Sequence, residues 1–260
     1  MSTLSPTRRV ILLGASNLVR SLPTIVNTVR RTWCEPIEFM VAMGHGRSYG
    51  NDSVVLGRKI SGIFPCALWQ DLQNRAALPT TALVTDIGND LLYGATPDRL
   101  LGWVEGCLDR LAEAGAATTV THLPAGSVEA LSERRFHFFR RLLFSRSTLT
   151  LAEAKELIRE INQRLTALGD ARNLSVISVS ANWYGLDPIH IKRRAERQAW
   201  PALLAGWREE ANEFALARSS IFSIAYLASL APFERSQFGI ALRTEQPCGR
   251  FSDGTTISLY

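Results

Sequence analysis

The chain has 260 residues, 46% of them hydrophobic and 20% charged, which supplies a full buried core and excludes the composition of a disordered protein. The formal charge of +5 arises from Lys and Arg scattered among Asp and Glu, so the basicity is mild and no nucleic-acid module stands out. No apolar run approaches the roughly 18 residues a membrane-spanning helix needs, although peripheral membrane contact stays open.

Arg8 and Arg9 ahead of the apolar run 10–15 imitate a signal peptide, but that run is short and is interrupted by Asn17 and Arg20, so a cytoplasmic location is expected. The cysteines, Cys34, Cys66, Cys107 and Cys248, lie far apart without a C-x-x-C pair or histidines at zinc spacing, and read as free thiols. One domain over 1–260 is expected, with its core at about 8–218.

In chain order, RRVILLGAS (8–16), IEFMVAMG (37–44), TALVTDIG (81–88), TTVTHLP (118–124) and LSVISVS (174–180) read as strands. Their apolar runs are continuous rather than alternating, as in a parallel sheet covered on both faces. Between them, 97–114 places Leu100, Leu101, Val104, Leu108 and Leu111 at helical spacing, opened by Pro97 and closed by Gly115. A second helix over 151–168 carries the stripe Ala154, Leu157, Ile158, Ile161 and Leu165, with Thr150 and Glu153 at capping-box spacing.

The repeated β-α-β pattern predicts an α/β protein: a doubly wound, flavodoxin-like three-layer α/β/α sandwich of about five parallel strands, with the ligand site at the strands' carboxyl ends. After about residue 218 the pattern changes, and strand-like pieces around Pro247 and Gly249, with a turn at 252–255, predict an appended β segment over about 219–260.

Four places fall at strand ends. Gly14-Ala15-Ser16-Asn17 is a small-residue strand-to-helix turn, which can expose a hydroxyl beside free helix amides; alone, it reads first as a helix N-cap at Ser16 or Asn17. The glycine-rich segment 44–50 (GHGRSYG) lets backbone amides approach a ligand, or is a surface turn. Asp86-Ile87-Gly88-Asn89-Asp90 projects an asparagine amide, an uncharged donor suited to an oxyanion, or caps a helix. Asp187-Pro188-Ile189-His190 brings a carboxylate within reach of one imidazole nitrogen while the other stays available to a nucleophile.

In this order, the four blocks resemble those of the SGNH or GDSL-like hydrolase superfamily over residues 8 to about 195. The resemblance implies Ser16 as nucleophile, Asp187 and His190 as acid and base, and an oxyanion hole from Ser16, Gly46 and Asn89, with Gly44 as the fallback glycine. It implies cleavage of an ester or thioester, or removal of acyl groups from carbohydrates or lipids, without a metal or organic cofactor. Two positions depart from the family pattern: Ala15 stands where the first block carries aspartate, and Ile87 where the third carries glycine.

His45, Trp183 and Tyr184 are the further substrate-binding candidates, the aromatic pair by stacking on a sugar or by packing the loop. His122 rivals His190 as base because it ends the fourth strand, whereas His137 lies in the basic-aromatic stretch 132–146 (SERRFHFFRRLLFSR). That stretch reads as an apolar lid, a membrane-surface helix or a docked helix with solvated arginines. Two other functions remain open: a catalytically silent binding domain of the same fold, and a flavodoxin-like mononucleotide-binding protein.

Overall fold

A computed structural model describes residues 4–55, 58–144, 147–207, 216–237 and 240–260. The first half of the chain runs β1 (Arg8–Leu13), α1 (Ser16–Trp33), β2 (Ile37–Ala42), β3 (Ser53–Val55), β4 (Arg58–Ile60), α2 (Leu68–Gln73), β5 (Thr80–Val84), α3 (Asn89–Leu92), α4 (Pro97–Glu113) and β6 (Ala117–Thr121). The second half runs α5 (Ala125–Glu129), α6 (Glu133–Leu143), α7 (Leu151–Arg172), β7 (Ser175–Ile177), α8 (Glu196–Leu203), α9 (Ile221–Ser229), β8 (Glu234–Gln237), β9 (Ile240–Arg243), β10 (Gly249–Arg250) and β11 (Thr256–Leu259).

The main sheet has the strand order β10-β11-β2-β1-β5-β6-β7. Its inner strands are buried because successive side chains serve opposite layers. Ile11 and Leu13 of β1 join one core with Met40, Ala42, Ala82 and Val84, while Val10 and Leu12 join the other with Phe39, Val41 and Leu83. The first core is covered by α2, α4 and α7, and the second by α1 and α8. These are the three layers expected from continuous apolar strands, with the five parallel strands β2-β1-β5-β6-β7 at their centre.

The tail is more integrated than an appended segment. β11 pairs parallel to β2 and is fully buried, and β10 closes that edge antiparallel to β11. β8 and β9 instead join β3 and β4 in a separate four-stranded antiparallel sheet. The expected turn at 252–255 connects β10 to β11, with Gly254 at φ +88.

Helix ends follow local chemistry. The α7 capping box forms from Thr150 and Glu153, and Thr96 caps α4 by accepting from the Arg99 amide. At the amino edge of the sheet, the largely buried Glu38 receives Arg9 and Arg75, each at 2.5 Å. The cysteines are free thiols. Among the described residues, no helix is long and apolar enough to cross a membrane.

The direction in which strands are added to the sheet reverses between β1 and β5, since β2 lies on one side of β1 and β5 on the other. In open α/β sheets such a reversal leaves a crevice at the carboxyl ends of the two strands. Here the loops after β1 and β5 carry Ser16 and the segment 86–90.

Candidate active site

Ser16 is the first residue of α1, and Ala15 before it supplies no capping side chain. The missing cap comes from the loop after β5. Asp86, held in the left-handed region at φ +57, accepts the amides of Ala15 and Asn17 on Oδ2, both at 3.0 Å, and the Asn17 side-chain amide on Oδ1 at 2.7 Å. It takes the amides flanking Ser16 and leaves out that of Ser16 itself. Burial pushes the Asp86 carboxyl up, against the opposing pull of these donors.

Asn17 extends the same network to the loop after β7. Its Nδ2 also donates to the Ile189 carbonyl at 2.9 Å, and its Oδ1 accepts the Ile191 amide at 2.9 Å. From α5, the Ser127 hydroxyl donates to the Pro188 carbonyl at 2.6 Å. The loop carrying Asp187 and His190 is thereby fixed over the end of β1.

The outcome is a continuous chain of contacts. His190 Nε2 lies 2.8 Å from Ser16 Oγ, and His190 Nδ1 lies 2.5 Å from Asp187 Oδ2. Asp187 Oδ1 accepts the amides of Ile189 at 3.1 Å and His190 at 3.3 Å. Burial raises the Asp187 carboxyl, but the hydrogen bonds from His190 and these amides outweigh it and leave the group below its ordinary value.

Asn89 opens α3, and its Nδ2 donates to the Arg47 carbonyl at 3.2 Å. The primary amide carries a second N–H for a ligand. Arg47 is itself buried and donates to the carbonyls of Ser61 at 2.9 Å and Met43 at 3.2 Å, and to Tyr260 O. Asp90 ties the glycine loop to this strand end by accepting the Ser48 hydroxyl and, at 2.8 Å, the Tyr49 amide.

Gly46 lies in this loop at φ +60, a left-handed conformation that glycine adopts without steric cost, and its carbonyl accepts the Tyr93 hydroxyl at 2.7 Å. Gly46 lines the open cleft beside Ser16 and His190, whereas Gly44 sits in the turn behind, its carbonyl accepting the Arg47 amide.

The remaining candidates separate clearly. His45 lines the cleft, and burial together with His190 and Arg20 lowers its pKa and favours the neutral ring. Tyr184 is buried and lines an apolar cavity on the other side of Ser16. Trp183 does not reach either: it is packed into the core with Ile191 and Trp200, so the loop-packing role of this residue applies rather than stacking on substrate.

His122 borders the apolar cavity, but its ring nitrogens meet Ser178 Oγ and Thr166 Oγ1, both at 3.0 Å, instead of the serine. His137 is exposed on α6 near Glu133. The basic-aromatic stretch forms α6, which borders the same cavity through Phe136, Phe139, Arg140 and Leu143; Ser145 and Arg146 fall outside the described residues.

Comparison with protein-family profiles finds no match, nor does comparison with curated protein sequences. Solved structures do match. A carbohydrate acetylesterase family member from Sinorhizobium meliloti aligns at TM-score 0.50 and 14% identity over 76% of this chain and 94% of its own. The psychrotrophic esterase EstA from a Pseudoalteromonas species aligns at 0.49 and 12%, over 76% and 97%. A GDSL-like lipase from Bacteroides thetaiotaomicron aligns at 0.43 and 12%, over 71% and 80%. The chain shares its α/β/α fold with the Sinorhizobium meliloti structure. At these identities the likeness is one of fold, and the chemistry rests on the residues just described.

Asp86 is the residue that sequence reading passed over, and its contribution is testable. In Asp86→Asn, the left-handed backbone is tolerated by asparagine, but an amide nitrogen must replace one carboxylate oxygen, facing either Asn17 Nδ2 or the two backbone amides. Displacement of the serine turn is expected to lower kcat for the ester hydrolysis proposed below by about 10- to 100-fold. Steady-state assay of the folded variant checks this; an unchanged kcat would remove Asp86 from the positioning network.

Proposed function

We propose that the protein is a serine esterase of the SGNH type that works through an acyl-enzyme on Ser16. The observation that carries this reading is the contact chain Ser16 Oγ to His190 Nε2 at 2.8 Å and His190 Nδ1 to Asp187 Oδ2 at 2.5 Å.

Ser16 Oγ attacks the ester carbonyl carbon while its proton passes to His190 Nε2, and the carbonyl π pair moves onto oxygen. Asp187 accepts from Nδ1–H, fixes that tautomer and stabilises the imidazolium. The oxyanion is received by the Ser16 and Gly46 amides and the free N–H of Asn89. Collapse breaks the bond to the leaving oxygen, which takes the proton from His190. Water then repeats the sequence: it yields a proton to His190, displaces Ser16 Oγ from the acyl carbon and releases the acid. The serine regains its proton.

Asn89→Ala should reduce kcat by about 10²- to 10³-fold with a much smaller change in KM, since the amide engages charge that develops only in the transition state. A KM effect as large as the kcat effect would assign Asn89 to ground-state binding instead.

The mononucleotide reading is opposed by Asp86. A carboxylate already occupies the amides at the start of α1, the place where a phosphate would otherwise bind. Reaction of purified protein with a fluorophosphonate probe, together with hydrolysis of aryl esters, tests the enzyme reading. Labelling located at Ser16 with ester turnover is expected; neither labelling nor turnover would leave a binding domain.

A further inference from the structure

Two spaces meet at Ser16, and they differ in chemistry. The open cleft is mixed: His45, Asn51, Asp52, Glu153 and His190 line it together with apolar groups such as Leu92 and Phe144. The other space, a cavity of about 120 Å³, lies under α6 and is walled by the buried side chains of Leu123, Val128, Leu131, Phe136, Ala154 and Ile158. Ser16 and Asn89 border both, whereas His190 borders only the cleft.

Proton transfer decides which half of an ester enters which space. His190 must hand its proton to the leaving oxygen, so the alcohol portion lies on the imidazole side. The acyl portion then points away from His190, into the apolar space.

Apart from Ser16, Asn89 and the Tyr184 hydroxyl, the cavity's polar side chains are engaged with the protein. Thr121 Oγ1 donates to Thr85 Oγ1 at 2.9 Å, both His122 nitrogens are engaged, and Arg140 donates to the Leu149 carbonyl at 2.8 Å. Among the described residues, none of the buried side-chain polar atoms that lack a partner belongs to its wall. An occupant without hydrogen-bonding groups suits such a wall, and an acetyl group would leave most of it unfilled.

We propose that the substrate is an ester joining an aliphatic acyl chain of several carbons to a polar alcohol, with the chain seated under α6 and its length limited by Ala154 and Ile158 of α7. This inference rests on the serine-esterase reading.

Its test is kcat/KM for p-nitrophenyl esters from acetate through butyrate, hexanoate and octanoate to decanoate. The leaving group is constant, so each methylene that enters the cavity should raise kcat/KM by about fourfold until the space is filled. Ala154→Phe should move the optimum to shorter chains and lower the octanoate-to-acetate ratio at least tenfold. Ile158→Ala should move it to longer chains.

A general defect in folding or in the nucleophile scales all chain lengths together, so opposite displacements of the optimum are specific to the cavity. A wild-type profile that is flat or greatest for acetate overturns the proposal, as does the same optimum in folded forms of both variants. Absence of hydrolysis at every length, with no fluorophosphonate labelling of Ser16, instead removes the esterase reading beneath it.

Discussion

Ser16→Ala is expected to lower kcat for aryl-ester hydrolysis by about 10⁴- to 10⁶-fold, and His190→Ala by a comparable factor. The two side chains act as one unit: the imidazole has no proton to accept once the hydroxyl is gone, and the hydroxyl has no base once the imidazole is gone. The Ser16→Ala/His190→Ala double variant should therefore be no slower than either single one. Because Ser16 begins α1 and its hydroxyl contact is to His190, its removal should move Tm by only about 2 °C. A Ser16→Ala protein retaining a tenth of wild-type turnover would transfer the nucleophile elsewhere.

Asp187→Asn should cost about 10⁴-fold in kcat while preserving the fold. The reason is specific to this loop. Oδ1 is claimed by the amides of Ile189 and His190, so in asparagine the oxygen stays with those donors and the NH₂ group turns toward His190 Nδ1. A ring nitrogen facing a donor must present its lone pair, which moves the ring proton to Nε2. Nε2 then donates to Ser16 instead of accepting from it, and the general base is lost. Steady-state kinetics with a chromogenic ester measures the effect; a loss below tenfold would show that the tautomer is set by something other than this carboxylate.

Much of this architecture was legible because its physics is local. Buried parallel strands require continuous apolar runs, and 8–13, 37–42 and 80–84 have them. The helices that begin at Pro97 and Leu151 carry their own stripes and caps. The order of the Ser16, Gly46, Asn89 and His190 blocks was also readable, since each sits beside a recognisable strand end.

What escaped depends on partners distant in sequence. β11 is short and contains Thr256 and Ser258, so nothing in its composition marks it as a buried parallel strand; its place follows from the edge that β2 leaves open. Trp183 and Tyr184 are neighbours in sequence, yet one faces the core and the other also reaches the cavity, a division set by the short 3₁₀ turn 181–183. Ala15 stands where the first block of the resembled pattern carries aspartate. A carboxylate does hold the serine turn, but it arrives from Asp86, across 71 positions of chain, and no pattern around Ser16 signals it.

The bridge made by Asn17 has a consequence for the catalytic cycle. By joining the serine helix to the backbone on both sides of His190, it holds the proposed nucleophile and base in register before any ligand arrives. Little free energy of substrate association is then diverted to assembling the triad, and the ordering entropy of that loop is met during folding instead of being levied on every turnover.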